Sequence, residues 1–173
     1  MTCELINAGR WRLSFAEPEA IFIINTLAQL GRHYQTDMAK LPPALQAYWR
    51  GTITRGETTD KNEMKESQEM LAEARAELRS ERLELVESWI REFELAENRE
   101  PWQVEISTAE RDEFVAMLND RRLLLALEIG ITEGDMELDP IQISEEARRN
   151  AILEIDVLGH FILVTLGPQI YRP

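Results

Sequence analysis

The sequence predicts a mainly α protein: four or five helices around one core, with a small two- or three-stranded β element. Three observations carry that expectation. Residues from about Asp60 to Asn98 contain no Gly or Pro and are rich in Ala, Leu, Glu and Arg, the composition of a long helix. Two short runs, Trp11 to Phe15 and Trp102 to Ile106, instead alternate with the period of a half-buried strand. Finally, 173 residues, 44% of them apolar, are enough for one sizeable core and read as a single helical domain over 1–173.

Taken in order, Cys3 to Ile6 and Trp11 to Phe15 make the arms of a hairpin over 3–15, turned at Asn7-Ala8-Gly9, where Gly tolerates a positive φ. Glu17-Pro18-Glu19 opens a helix over about 17–35, since Pro suits a first turn and acids suit its positive end. Ile21, Ile24, Leu27, Ala28 and Gly31 fall at helical spacing there, and Phe22, Ile23 and Leu30 widen the apolar face. Pro42-Pro43 starts a short helix over 43–50, and Gly51 to Thr59 reads as a connection.

The long helix, about 60–98, has two unlike halves. Leu85, Val86, Trp89, Ile90 and Phe93 give the second a broad core-facing side. In the first, Met64, Leu71 and Leu78 recur every seven residues, but the matching seam holds Ser67 or Gln68, Ala74 or Arg75, and Glu81 or Arg82. A coiled coil wants both seams apolar. The narrow stripe of Met64, Leu71 and Leu78 suits a partner helix or a second copy of the chain, with packing back along its own domain as the equal alternative. After the strand at 102–106, Ser107 or Thr108 with Glu110 caps a helix over about 108–129, which Gly130 ends. An acidic connection follows over 131–140. The last helix, about 144–167, stops before Gly167-Pro168. The two strand–helix junctions share a frame, Trp-x-apolar-x-apolar-x-x-x-Glu, at Trp11–Glu19 and Trp102–Glu110, so their strands are candidates to pair in one sheet.

Charge is unevenly spread. The net charge is -13, yet residues 1–56 carry +2, residues 57–100 carry -7 and residues 101–173 carry -8. Such acidity excludes most nucleic-acid binding and any polybasic membrane docking. Arg10, Arg12, Arg32, Lys40, Arg50 and Arg55, with Trp11, Tyr48 and Trp49, form the one arguable nucleic-acid surface, and it ranks third among functions. One cysteine, Cys3, excludes a disulfide framework and a thiolate metal cluster. The N-terminus lacks the pattern of a secretory signal, and the apolar run from Ala151 to Leu166 carries Glu154, Asp156 and His160, which fits a core helix. The expected setting is the cytoplasm, with no membrane partner and no cofactor.

Leu118-Asn119-Asp120-Arg121-Arg122-Leu123 through Gly130-Ile131-Thr132 resembles the signature segment of a bacterial, mostly actinobacterial family catalogued as a domain of unknown function. That family reads Leu-Asn-Asp-x-Arg-Leu-x-Leu-Gly and then Arg-Leu-Gly-Ile; here Ala126 stands for its Gly and Glu128 for its Arg. The resemblance implies a helical cytoplasmic domain without an assigned reaction. Family members are often encoded beside the adaptor of the Clp protease, so the resemblance implies a link to regulated proteolysis. It also singles out Asn119, Asp120 and Arg122. Asp120 and Arg122 point about 200° apart on a helix, so they cannot pair directly. Arg122 is expected to reach Glu154 or Asp156 in a buried ion pair joining two helices.

Chemistry-bearing patterns are few. Asp156 and His160 lie four apart on the last helix, where a carboxylate beside an imidazole could serve as a general base in a hydrolase-like or metal-dependent enzyme. His33, near a helix end, reads as an exposed cap residue. Asp135, Glu137 and Asp139 alternate as in a calcium loop, but the turning Gly is absent. A non-enzymatic, acidic interaction or regulatory domain is the leading expectation.

Overall fold

The computed structural model describes residues 1–50, 61–96 and 101–170, and within them every side chain except those of 61–64 and 168–170. The alternating runs become three antiparallel strands, β1 (Thr2–Asn7), β2 (Arg10–Phe15) and β3 (Trp102–Ser107), in the order β1-β2-β3. Gly9, at φ +85°, makes the hairpin turn in the left-handed region. The two Trp-led frames do pair: Trp11 lies opposite Ile106, Leu13 opposite Val104 and Phe15 opposite Trp102. Those six side chains are buried on one face of the sheet.

Among the described residues five helices of eight or more residues follow the expected bounds closely: α1 (Glu17–Gln35), α2 (Pro43–Arg50), α3 (Lys61–Ala96), α4 (Thr108–Ile129) and α6 (Glu146–Ile170). Local chemistry sets their ends. The Ala16 N–H donates to Glu19 at 2.9 Å at the start of α1, and Ser107 and Glu110 cap α4 reciprocally. Gly130, at φ +71°, closes α4. Two readings need correction. The acidic connection is not plain loop: it folds into a one-turn α5 (Glu133–Met136) and a 3-10 turn over Pro140–Gln142. The last helix runs on through Gly167 to Ile170.

α3 packs along α1, and α6 along α4. A Cβ on Gly31 would come within 3.2 Å of Val86 Cγ1, so this glycine lets α1 and α3 approach closely. Leu13, Phe15, Ile23, Leu27, Val86, Phe93, Phe114 and Phe161 fill the main core. Ile152, Ile155, Leu158 and Phe161 bury the inner side of α6. Among the described residues α6 is the one helix long and apolar enough to cross a membrane by length and composition, with 33% of its apolar window buried.

Candidate functional site

The principal polar cluster lies where α1, α2, α3 and α4 meet, and α3 supplies its cations. Arg75, Arg79 and Arg82 fall at i, i+4 and i+7, so they share one side of the helix. Arg79 and Arg82 are buried. Arg82 forms an ion pair with Asp120 of α4 and a second, at 3.2 Å, with Glu113. Asp120 also accepts 2.8 Å hydrogen bonds from the hydroxyls of Tyr34 and Tyr48. Burial first, and then the adjacent carboxylate, raises the pKa of both phenols, so they remain neutral donors. Desolvation opposes the charge on Arg82, but Asp120, Tyr34 and Glu113 together raise its pKa.

Arg79 finishes α1. Its Nη2 donates to the carbonyls of His33, Tyr34 and Thr36 at the end of the helix; the His33 carbonyl also accepts from the Thr36 N–H. Its guanidinium also lies 5.3 Å from the Trp49 ring centroid. Trp49 in turn donates to His33 Nε2 at 2.7 Å. That bond requires an unprotonated Nε2, and burial, with the charge of Arg79 second, lowers the His33 pKa to about 4. His33 is therefore half-buried and built into the cluster, not the exposed cap residue expected from its neighbours. Arg75 completes the set by donating to the Tyr48 carbonyl.

Both oxygens of Asp120 are occupied by protein donors, so the carboxylate is closed to a substrate. The cluster binds four helices together, and nothing in it resembles a nucleophile with its base. Sequence reasoning missed it because it searched the weak seam of α3 for apolar residues. The usable signal was three arginines on one face, with Tyr48-Trp49 and an aspartate elsewhere to receive them.

The segment carrying the family resemblance divides its polar residues. Asp120 turns inward, whereas Asn119 and Arg122 line a pocket of about 240 Å³ with α5 and α6. The expected pairing of Arg122 does not form. Arg121, one residue earlier, reaches Glu154 at 2.7 Å, because 100° of helix rotation brings it and not Arg122 toward that carboxylate. Arg122 lies across Gly159 of α6, where a Cβ would sit 3.7 Å from its Cζ. Its Nε is buried without an acceptor, and no hydrogen bond or ion pair holds its guanidinium among the described residues.

Asp156 and His160 are both exposed on the outer side of α6, and no hydrogen bond or ion pair joins them. Neither lines the pocket at Arg122 or the larger cavity, about 620 Å³, between α2 and α3. In the acidic connection Asp135 caps α5 through Thr132 and pairs with Arg148 at 2.7 Å, and Asp139 caps the 3-10 turn. Glu137 is exposed, and no group of three potential metal ligands occurs among the described residues. Leu71 and Leu78 are half-buried, 40° and 60° around the helix from Arg75, on the side of α3 that meets α2; the side chain of Met64 lies outside the described residues. Of the basic set, Arg12 pairs with Glu4 and Glu105, Trp11 and Trp49 are buried, Tyr48 serves Asp120, and Arg55 lies outside the described residues. No protein-family model, no curated protein and no solved structure matches this chain.

Proposed function

We propose that this chain is a non-enzymatic protein-interaction domain, and that its binding surface is the second half of α4 with the outer side of α6. One observation carries the choice of surface. Of the thirteen large apolar side chains exposed among the described residues, eight lie between Leu123 and Leu163. Leu123 and Leu127 are one turn apart on α4, and Leu153 and Val157 one turn apart on α6, each 40% or more exposed. Exposed apolar groups gathered on few elements of an otherwise acidic surface fit a contact with another protein. The stripe of Met64, Leu71 and Leu78 takes second place, since Leu71 and Leu78 are already partly buried by their own domain.

The test is site-directed photo-crosslinking in the source cell, with the reactive residue at Leu127, at Val157 and, as a control, at Glu81. Discrete adducts of one mass from Leu127 or Val157, and none from Glu81, support the reading. Adducts absent at both apolar positions, or identical at all three, overturn it. Light scattering at low and high salt then tells whether the partner is a second copy.

A further inference from the structure

The pocket at Arg122 combines two features within one small volume. Leu123, Ile131, Met136 and Ile155 make its walls apolar, while Arg122 and Asn119 supply polar groups whose side chains have no hydrogen-bond or ion-pair partner among the described residues. Thr132 is already committed to Asp135, with its hydroxyl donating at 2.7 Å. The Arg122 Nε is buried without an acceptor among the described residues, and a buried donor left unmet is costly, a cost that an anion bound in the pocket would remove. Its volume, about 240 Å³, falls below the roughly 300 Å³ at which pockets for whole small molecules begin. It fits one residue. Leu127, one helical turn beyond Leu123 and exposed, extends the apolar surface past the pocket for whatever is attached to that residue.

An apolar side chain and a carboxylate occur together on a single residue only at the end of a polypeptide. We propose that this pocket captures the C-terminal residue of a protein partner, an aliphatic residue whose carboxylate pairs with Arg122 while its side chain lies among Leu123, Met136 and Ile155. Arg–carboxylate pairing is commonly bidentate, and capture of a chain end by its carboxylate is a known mode of peptide recognition. Glu133 also lines the pocket and is exposed. Its charge opposes the incoming carboxylate, so its removal tightens binding. The proposal rests on the interaction reading above but names its chemistry.

The probe is a pool of fluorescein-labelled hexapeptides, Gly-Ser-Gly-x-x-Leu with both x positions randomised, bearing either a free acid or an amide at the C-terminus. Fluorescence anisotropy gives binding, and the Arg122 Nε–H resonance reports the site. The acid pool should bind about tenfold or more tightly than the amide pool, as expected for a charge-assisted pair. Arg122→Gln should abolish the difference at an unchanged circular dichroism spectrum, Arg122→Lys should keep part of it, and Glu133→Gln should enlarge it. The proposal falls if the acid pool does not bind, if acid and amide bind alike, or if Arg122→Gln leaves the difference intact. It also falls if N-acetyl-leucine, or an amidated peptide with an internal Glu, binds as well as the acid pool. Should the peptides fail while adducts at Leu127 or Val157 persist, the interaction reading stands and the chain-end pocket does not.

Discussion

Two arginine sites, one on each side of α4, answer the same physical problem in opposite ways. Arg82 is buried against Asp120 and Glu113. Arg122, two residues along the helix from Asp120, is half-buried with its Nε unmet. A guanidinium taken out of water needs acceptors. At Arg82 the fold provides them from its own helices, and the result is a joint among four elements. At Arg122 no described residue bonds the Nε, and the pocket beside it is mostly apolar with Glu133 at its lining.

The largest effect that distinguishes the two sites should come from Asp120→Ala. Removing the carboxylate leaves Arg82 buried beside an empty position and strips the acceptor from Tyr34 and Tyr48, a loss of about 3–5 kcal/mol for a broken buried pair. Urea unfolding followed by circular dichroism measures it. A loss below about 1 kcal/mol would mean that the cluster does not hold the helices together, and the contrast with Arg122 would lose its first half.

Much of this fold was legible in the chain. Trp11, Leu13 and Phe15 alternate because one face of β2 is buried, and the parallel frame at Trp102 anticipated the strand that pairs with it. Gly130 ends α4 because the left-handed conformation there suits a residue without Cβ. The site was less legible, for two reasons. The first half of α3 buries arginines where an apolar seam was sought, and long side chains with charged tips do not register as core in a hydrophobic pattern. The choice between Arg121 and Arg122 as the partner of Glu154 turns on 100° of rotation, which depends on how α4 and α6 seat against each other. The short caps of α5 were missed because alternating acids invite a metal reading before a capping one.

A smaller effect tests the closed site through pH. Folded, His33 titrates at about 4; in the unfolded chain an ordinary histidine titrates at about 6.5. Between those values the unfolded state binds a proton that the folded state refuses, so stability falls as pH falls from 6.5 toward 4. His33 is only half-buried, and solvent screening holds the expected loss to about 1–2 kcal/mol. His33→Gln should flatten that slope in urea midpoints measured from pH 7 to pH 4.5, a range in which the exposed His160 is present in both proteins. An unchanged slope would show that burial and the charge of Arg79 do not hold the ring neutral.

The smallest effect is the sharpest for the open site. Arg122→Ala removes a guanidinium that no described residue bonds, so stability should change by less than about 1 kcal/mol, within the usual range for positions without a structural partner. Arg121→Ala, one residue away, removes ion pairs to Glu154 at 2.7 Å and Glu128 at 3.8 Å and should cost more in the same urea measurement. The two variants share a helix, a charge and a side-chain length, so their difference isolates partnership. If Arg122→Ala proved the more damaging, its guanidinium would be serving the packing of α4 on α6, and the pocket would have no reason to await a carboxylate. If it proves the milder, the fold keeps a half-buried cation that contributes little to its own stability, as a site completed from outside requires.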